Sequence, residues 1–371
     1  MKDKLIVFVS GVTGQDGSYM VDFLLDKFEN IKVYGGIRRL SVPNHKNIKH
    51  INDPRFELVY FDLTDTHSLD KLVRDIKPHY FINFAAQSFV GSSWTIPIAT
   101  WDAGATSIVH ILEAVREHSP RTRVYNAGSS EEFGDVQFIP QSELHPIRPR
   151  SPYGAAKAAS RHIVKVYRES YGIYAVQGWL FNHESERRGE EFVTRKITQN
   201  VARINQSIQN GNFDFAPLEL GNIDAQRDWS HAEDFVRGVW MMLNQDEHSQ
   251  IWKAGSGIPI DYVLSSGHAY SVRYFVERAF AEIGIKGTWV GQGVDEEYRI
   301  LHHEKMPDSV KGRSVTLMKV NPKFYRPAEV DFLKGYSMLA RTDLGWQPEI
   351  SFEELVKRMV ENDIRLTLDE N

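Results

Sequence analysis

Short apolar runs alternate with amphipathic stretches along the first half of the chain. The runs are rich in β-branched and aromatic residues and predict six strands, namely LIVFVS at 5–10, IKVYGG at 31–36, FELVYFD at 56–62, YFINFAA at 80–86, RVYNAGS at 123–129 and YAVQGWLF at 174–181. Between them, apolar positions at helical spacing predict helices at 18–28, 68–76, 97–118 and 153–171. This rhythm is typical of an α/β protein with a doubly wound parallel sheet.

The second half of the chain has a different pattern. After Asn182 the alternation becomes irregular and rich in loops, which predicts a smaller α/β lobe interleaved with the sheet. One amphipathic stretch at 234–243 predicts a helix that returns to the first lobe. Because we find no repeat, low-complexity tract or Gly/Ser linker, we expect the two lobes to pack closely, with a substrate cleft at their seam.

Composition excludes several classes of function. The chain has 371 residues, 42% of them hydrophobic, which is enough for a two-lobed core. A formal net charge of −5 gives no basic face for nucleic acid, and the absence of cysteine removes disulfides and thiolate chemistry. The 14 histidines form no H-E-x-x-H pattern, so we predict no metal site. With no leader-like N-terminus and no apolar run near ~18 residues, we expect a cytoplasmic protein without a membrane role.

A glycine-rich turn, GVTGQDG at 11–17, lies between the first predicted strand and the first predicted helix. Glycines in such a turn let the backbone approach a pyrophosphate, which then sits at the positive end of the helix. The G-x-x-G-x-x-G spacing differs from the general G-x-G-x-x-G fingerprint, but the strand before it and the helix after it favour nucleotide binding over an ordinary tight turn. The expected cofactor contacts in this turn are Gly11, Thr13, Gly14, Gln15, Asp16 and Gly17.

The end of the second predicted strand indicates which nicotinamide cofactor is bound. An Asp or Glu that grips a ribose hydroxyl would ordinarily stand there, whereas this chain has Arg38 and Arg39. Guanidinium groups favour a 2′-phosphate through charge-assisted hydrogen bonds, so the sequence predicts NADP; two solvated loop arginines are the alternative. Asp62, after the third strand, and the turn from Ala85 to Gln87, after the fourth, are predicted neighbours of adenine and ribose.

Tyr153 and Lys157 are four residues apart, so on a helix they would share one face. An unperturbed phenol titrates near pH ~10, and Tyr153 therefore needs the Lys157 ammonium and a positive nicotinamide to act as a base near neutrality. Ser129 would hydrogen-bond the alcohol oxygen whose proton Tyr153 takes. Glu131 adds a carboxylate beside this redox site, which suggests more than simple oxidation. A chance pair on a surface helix and a helix-start carboxylate are the alternative interpretations.

These motifs and several longer segments resemble the GDP-mannose 4,6-dehydratase family, a branch of the extended short-chain dehydrogenases/reductases. The resemblance covers nearly the whole chain and its segments are long. They are GVTGQDGSY from Gly11, AAQSFVG from Ala85, SSEEFG from Ser129, PRSPYGAAK from Pro149, LFNHESERRGEEFVTRKI from Leu180, LGNIDAQRDW from Leu220 and FYRPAEVDFL from Phe324.

The resemblance implies a reaction in three stages. Tyr153 would take the proton of the sugar's C4 hydroxyl while a hydride leaves C4 for NADP. Glu131 would remove the C5 proton that the new ketone acidifies, and Glu131 itself or a serine would assist loss of the C6 hydroxyl as water. The hydride would then return to C6. The implied catalytic residues are Ser129, Ser130, Glu131, Tyr153 and Lys157, of which Tyr153 and Lys157 also touch the cofactor.

The same resemblance implies further binding positions. Leu63 and His183 join the cofactor set, with His183 near the nicotinamide or else a structural histidine. The GDP-sugar would be held by Ser88, Asn182, Val193, Lys196, Gly221, Arg227, Arg326 and Glu329. In that set the two arginines would clamp the pyrophosphate by forked donation, and the carboxylate would accept from the N1 and N2 protons of guanine.

The chain departs from the family pattern at several positions. Ser129 stands where the family has threonine, Glu132 replaces an apolar residue, and Phe89 stands where the family often has histidine. An insertion lies at about 248–260. Because some of these changes fall near the expected sugar pocket, a GDP-manno-heptose is the competing substrate.

The expected domains are an NADP-binding Rossmann domain at 1–182, with a returning segment at about 222–247, and a mainly nucleotide-sugar-binding lobe at 183–371. Residues 40–44 resemble a family loop that reaches a neighbouring subunit's cofactor site, so we expect a homotetramer, or a dimer. Two other functions stay open. One is a 4-epimerase or dehydrogenase, in which Glu131 would be idle, and the other is a non-catalytic NADP sensor, which would gain nothing from an intact catalytic set.

Overall fold

The computed structural model describes residues 4–300, 303–307, 314–325, 330 and 332–369. The strands are β1 Leu5–Ser10, β2 Ile31–Ile37, β3 Phe56–Tyr60, β4 Tyr80–Asn83, β5 Arg123–Asn126, β6 Ala175–Val176, β7 Trp179–Leu180, β8 Asn182–Glu184, β9 Leu218–Leu220, β10 Gln226–Arg227, β11 Trp229–His231, β12 Val263–Leu264, β13 Tyr270–Ser271, β14 Thr288–Val290, β15 Glu297–Ile300 and β16 Val315–Val320. The helices are α1 Gln15–Lys27, α2 Thr66–Ile76, α3 Pro97–Trp101, α4 Ser107–His118, α5 Pro152–Tyr171, α6 Val193–Gln209, α7 Ala232–Leu243, α8 Gln245–His248, α9 Val272–Ala281 and α10 Phe352–Asp369.

A six-stranded parallel sheet in the order β3-β2-β1-β4-β5-β6 forms the first lobe. Its central strand β1 buries Val7, Phe8 and Val9 completely, as expected for a strand covered on both faces. Helices α1 and α7 pack on one face, and α2, α4 and α5 pack on the other. The doubly wound parallel sheet predicted from the alternating pattern is therefore confirmed.

Local chemistry starts and stops the helices of this lobe. The Asp65 carboxylate accepts from the first N–H groups of α2, and the Ser151 hydroxyl accepts from Gly154 N in α5, where Pro152 takes the first helical position. Gly172, at φ +68°, ends α5 in the left-handed conformation that favours glycine. These caps set where Tyr153 and Lys157 fall on the first turns of α5.

Two predicted elements differ in detail. The single strand predicted at 174–181 is two short strands, because the chain leaves the main sheet after β6 and β7 pairs with β12 instead. The break falls at Gln177, whose N–H donates to the Asp261 carboxylate at 2.9 Å rather than to a neighbouring strand. The helix predicted at 97–118 is α3 and α4 joined by a π-helical turn at Asp102–Thr106.

The second half is more regular than predicted. A mixed sheet in the order β14-β15-β16-β9 packs with α6, α9 and α10 around a second core. Inside that core region, the buried Arg195 and Asp363 join α6 to α10 with an Nε–Oδ2 distance of 2.9 Å. The smaller α/β lobe predicted after Asn182 is therefore confirmed, although its helices and sheet are more regular than the loop-rich pattern indicated.

The lobes are interleaved by segments from the second half that return to the first core. Helix α7 covers the predicted returning helix at 234–243 and packs against α1. The same core also contains Tyr262, Leu264, Leu344 and Trp346 from later in the chain. The cleft between the lobes is thus framed by segments that cross from one to the other several times.

Candidate active site

Polar and glycine residues follow the strands of the main sheet at the edge where the strands end. Gly11 follows β1 and Ala85 comes two residues after β4, while Ser129 comes three residues after β5. Arg38 follows β2 and Asp62 comes two residues after β3. Because the strands are parallel and ordered β3-β2-β1-β4-β5, these residues lie in the order Asp62, Arg38, Gly11, Ala85, Ser129 along one edge.

The glycine-rich turn has the geometry that close approach of a phosphate requires. Gly11 has φ +70°, and a Cβ on Gly17 would lie 2.3 Å from the Gly11 carbonyl oxygen. Gly14 is the N-cap of α1 and supplies no side-chain cap, so the first N–H groups of this 13-residue helix are not satisfied by a side chain. These features fit a dinucleotide pyrophosphate at the start of α1.

Gln15 holds the two lobes together. Its buried amide donates to the His183 carbonyl at 2.9 Å and accepts from the Ser185 hydroxyl at 2.7 Å. The side chain is therefore occupied by protein groups, and the expected cofactor contact of Gln15 is left to its backbone. The Thr13 carbonyl similarly accepts from the Asn47 amide at 3.0 Å.

Asp16 and His183 form a half-buried ion pair at the cleft, with 3.0 Å between a carboxylate oxygen and Nε2. The imidazole Nδ1 donates to the Phe181 carbonyl at 2.7 Å, so both ring nitrogens act as donors. Burial alone would lower the pKa of His183 and raise that of Asp16, but the pair charges outweigh burial, raising the first pKa and lowering the second. The pair places a cationic imidazole at the cleft floor, stacked on Phe235.

The residues expected around the adenosine differ in whether their side chains are available to contact a cofactor. Arg38 and Arg39 are exposed and have no ion-pair partner within the described chain, which fits a role in holding a 2′-phosphate. Asp62 accepts from Thr64 N–H at 2.9 Å and shapes its turn. Leu63 is buried in the core under the sheet edge, so its side chain does not reach a cofactor and only its backbone could.

The turn after β4 is fixed by its own hydrogen bonds. Ala85 N–H donates to the Ser10 hydroxyl at 3.1 Å, and a Cβ on Gly11 would lie only 2.9 Å from this nitrogen. The Gln87 amide donates to the Phe89 carbonyl at 2.8 Å, while Ser88 is exposed and lines the cleft. This turn forms one wall of the cleft, and hydrogen bonds within the turn hold most of its polar groups.

The predicted catalytic residues come together in one cleft of about 590 Å³ between the lobes. Residues lining it include Ser129, Ser130, Glu131, Tyr153 and Lys157. Lys157 Nζ lies 5.7 Å from the centroid of the Tyr153 ring and donates to the Ala127 carbonyl at 2.7 Å. The helical spacing therefore puts both side chains on the face predicted.

Burial is the largest cause of the pKa shifts of Tyr153 and Lys157. It raises the pKa of Tyr153 to about 12, although a hydrogen bond with Ser129 acts in the opposite direction. It lowers the pKa of Lys157 to about 8, with the charges of Glu132 and Asp16 partly opposing that fall. Tyr153 thus needs additional positive charge before it can give up its proton near neutrality.

Two adjacent carboxylates, Glu131 and Glu132, lie on a single 3₁₀ turn, Ser130–Glu132, but have different surroundings. Glu131 lines the cleft, whereas Glu132 turns into the protein and is completely buried, paired with Arg161. The Ser129 hydroxyl accepts from Glu131 N–H at 3.2 Å. Glu132 is therefore one of the departures from the family pattern that do not face the sugar pocket, since its side chain leaves the cleft for the buried guanidinium.

The opposite wall carries the residues expected to hold a GDP group. The Asn182 Oδ1 atom is buried without a hydrogen-bond partner among the described residues. Val193 and Lys196 lie on the first turn of α6, whose N-cap Phe192 gives no side-chain cap. The buried Arg227 also lines the cleft. An uncapped helix start with nearby cations suits a diphosphate.

The remaining residues expected to hold the GDP-sugar are only partly described by the structure. Gly221 lines the cleft, and a Cβ there would lie 2.6 Å from the Phe324 carbonyl oxygen, so glycine allows the two segments to meet. Burial lowers the pKa of Lys196, whose Nζ lies 3.6 Å from the Phe324 ring centroid. Arg326 and Glu329 lie outside the described residues.

Several residues of the cleft were not predicted. Arg187 and Arg188 are adjacent in the chain but have different surroundings, because Arg187 bonds Asp22 on α1 at 2.7 Å while Arg188 lies in the cleft, 3.5 Å from the Phe192 ring centroid. Apolar and aromatic side chains to which the sequence analysis assigned no individual role complete the walls. These include Trp94, Phe181, Phe192, Phe324 and Tyr325.

Two further observations concern the described residues as a whole. No group of three or more histidine, aspartate or glutamate side chains is arranged to hold a metal ion in that part of the chain. Over the same residues, no helix combines the length and the apolar character that crossing a bilayer requires.

Comparison with known proteins gives a consistent result. A family model described as GDP-mannose 4,6 dehydratase matches residues 8–359. The GDP-mannose 4,6-dehydratase of Sinorhizobium fredii is 45% identical over 372 residues, covering 98% of each chain. That of Homo sapiens is 40% identical over 374 residues, covering 98% of this chain and 93% of its own. The fold resembles UDP-glucuronic acid 4-epimerase from Bacillus cereus, solved with UDP-glucuronic acid and NAD, at TM-score 0.76 and 18% identity, covering 98% of this chain and 100% of that chain.

Proposed function

The chain belongs to the GDP-mannose 4,6-dehydratase family, and we propose that it removes water from GDP-mannose to give the GDP-4-keto-6-deoxy sugar. The observation that carries this proposal is the presence of Glu131 in the same cleft as Ser129, Tyr153 and Lys157. Oxidation of an alcohol needs only the last three residues. A carboxylate beside them suits removal of the C5 proton, which is acidic only once C4 is a ketone.

Each polar group then has a chemical role. The Ser129 hydroxyl orients the C4 oxygen, and Tyr153 takes its proton, helped by the nearby ammonium of Lys157. A nicotinamide held at the start of α1 would supply the hydride chemistry, as acceptor at C4 and as donor at C6. Glu131 removes the C5 proton, and the protonated Glu131 or Ser130 donates to the C6 hydroxyl as it leaves as water. As the hydride returns to C6, the resulting enolate takes up a proton at C5, and the proton that Tyr153 removed from the C4 hydroxyl balances it. The net change is therefore loss of one water.

The cofactor proposal rests on the turn at the start of α1 and on the arginines after β2. The close approach at Gly17 and the uncapped helix start support a dinucleotide, and the exposed Arg38 and Arg39 support NADP over NAD. The cationic His183, paired with Asp16, would lie on the nicotinamide side of the cleft. We also propose a homotetramer, or a dimer, as expected from the resemblance of residues 40–44. A cytoplasmic location is proposed from the absence of cysteine.

The diphosphate and sugar would occupy the cleft wall formed by the start of α6. Its free N–H groups, with Lys196 and Arg227, supply positive charge for a diphosphate, and the unpaired Asn182 oxygen can accept from a substrate hydroxyl. The relatives described above are named for GDP-mannose, and nothing in them favours a heptose. Phe89, which stands where the family often has histidine, lines the cleft and packs edge-on against Phe192.

The direct test is product analysis. Purified protein is incubated separately with GDP-mannose and with GDP-manno-heptose, and the products are weighed by mass spectrometry. We expect GDP-mannose to lose one water without net release of NADPH. Release of NADPH without loss of water would indicate a dehydrogenase, and a product of unchanged mass with inverted C4 would indicate an epimerase.

A further inference from the structure

A layer of buried polar side chains lies directly beneath the catalytic residues. It follows the strand ends from Ser10 on β1 to Asn83 on β4 and Asn126 on β5, with 2.8 Å between the Asn83 and Asn126 amides. Asn126 donates to the Gln177 amide oxygen at 2.7 Å. All of these side chains are buried, so this layer is a continuous network under the cleft.

Glu132 and Arg161 end this network on the catalytic side. The guanidinium forks onto the carboxylate through Nε and through Nη2, the latter at 3.2 Å, and neither side chain is more than 5% exposed. The Gln177 amide donates to the Glu132 carboxylate at 3.2 Å and to the Lys157 carbonyl at 2.9 Å. One side chain therefore links the buried ion pair to helix α5 at the level of the catalytic lysine.

The same carboxylate holds the backbone of the catalytic turn. Ser129 N–H donates to Glu132 Oε1 at 2.9 Å, and the Ser129 hydroxyl in turn accepts from Glu131 N–H and is close enough to the Tyr153 hydroxyl to oppose the rise of its pKa. This reciprocal cap fixes both the serine hydroxyl and the direction of Glu131. Removing the carboxylate would free the backbone of a residue that orients two reacting side chains.

We propose that Glu132 and Arg161 are a positioning pair that sets the Ser129 hydroxyl and the Glu131 carboxylate relative to Tyr153. Neither residue lines the cleft, so the pair acts through the turn and not by touching substrate. A buried ion pair is weak evidence for stability, since well-packed apolar residues can replace it, and this allows position and stability to be separated experimentally. The kinetic part of this proposal rests on the proposed dehydratase function.

The test compares three variants of the full-length protein. Glu132→Leu/Arg161→Leu removes both charges together, while Glu132→Gln keeps an oxygen for Ser129 N–H but leaves the guanidinium with a weaker partner. Asp234→Leu/Arg237→Leu is the control, because it removes an ion pair of α7 whose carboxylate is completely buried and for which no contact with the turn, Arg161 or Gln177 is seen among the described residues. Thermal unfolding and turnover of GDP-mannose are measured for each.

We expect Glu132→Leu/Arg161→Leu and Glu132→Gln to rank in opposite orders for stability and for activity. The double leucine variant should be more stable than Glu132→Gln yet less active, with kcat about 10- to 100-fold below wild type and KM within about twofold, because a misplaced group costs turnover more than binding. The control should keep kcat within about threefold. If kcat simply follows stability across the three variants, or if the folded double leucine variant turns over like wild type, the proposal is wrong.

Hydrogen exchange tests the same idea without turnover. Peptides that cover residues 129–133 should exchange faster in the double leucine variant and unchanged in the control. Unchanged exchange in both would overturn the positioning role. If the exchange behaves as expected while wild type removes no water from GDP-mannose, the proposed function fails and the positioning of the turn stands.

Discussion

Replacing Lys157 with methionine should make the protein inactive and more stable at neutral pH. The side chain is 4% exposed, and burial lowers its pKa from 10.5 to about 8. Since one pKa unit corresponds to about 1.4 kcal/mol, keeping the ammonium charged at pH 7 costs about 3 kcal/mol. Methionine loses the hydrogen bond to the Ala127 carbonyl, worth about 1 kcal/mol, so the net gain is about 2 kcal/mol.

The sign of this effect depends on pH. The folded-state pKa of Lys157 lies below its unfolded value, so the unfolded chain binds more protons between pH 8 and 10.5 and wild type gains stability as pH rises through that window. The advantage of the methionine variant is therefore full below pH 8 and disappears by about pH 10.5.

The assay is denaturant unfolding of both proteins, stripped of nucleotide, at pH 7 and at pH 10.5. Lys165→Met is the matched control, because Lys165 lies on the same helix with its side chain 58% exposed, and it should change stability by less than about 0.5 kcal/mol at either pH and leave turnover intact. A Lys157→Met protein that is less stable than wild type at pH 7, or a gap that does not narrow with pH, would refute the reasoning.

Three further substitutions test separate parts of the mechanism. Glu131→Gln should keep cofactor and GDP binding but lower dehydration by about 10²- to 10⁴-fold, the usual worth of a general base; dehydration at the wild-type rate would remove Glu131 from the chemistry. Tyr153→Phe should abolish even the first hydride transfer, checked by absorbance of reduced cofactor in a single turnover, and a normal burst would contradict that role. Arg38→Glu should lower the ratio of NADP to NAD affinity at least about tenfold through charge repulsion, and an unchanged ratio would show that Arg38 does not face the 2′-phosphate.

The parts that could be predicted are those whose chemistry is local. A turn such as GVTGQDG needs glycine for reasons contained within seven residues, and the spacing of Tyr153 and Lys157 fixes their common helix face. The position of Glu131 beside them also follows from a short turn after β5. These features, with the alternating strands and helices, were enough to predict the doubly wound sheet.

The parts that were missed depend on distant residues. Glu132 reads as a surface carboxylate until Arg161 and Gln177 are seen beside it, and the strand break at Gln177 depends on Asp261. The amide of Gln15 is occupied by partners about 170 residues away. No short window of sequence contains these pairings.

Helix α6 and the mixed sheet of the second lobe were not predicted individually, for two different reasons. Helix α6 has buried apolar residues at Ile197, Val201, Ile204 and Ile208, which is a helical spacing that the sequence already contains. The mixed sheet is harder to predict, because β9 pairs with β16 about a hundred residues later. Helix α6 could therefore have been predicted from the sequence, whereas the mixed sheet could not be predicted without the tertiary structure.

Transfer of an isotopic label tests the central claim most directly. GDP-mannose carrying deuterium at C4 is converted by the purified protein, and the product is examined by mass spectrometry and NMR. We predict a product lighter by one water with the deuterium at C6, because the hydride taken from C4 returns within the same site. Deuterium found in released NADPH, or still at C4 in a product that has lost water, would contradict the account.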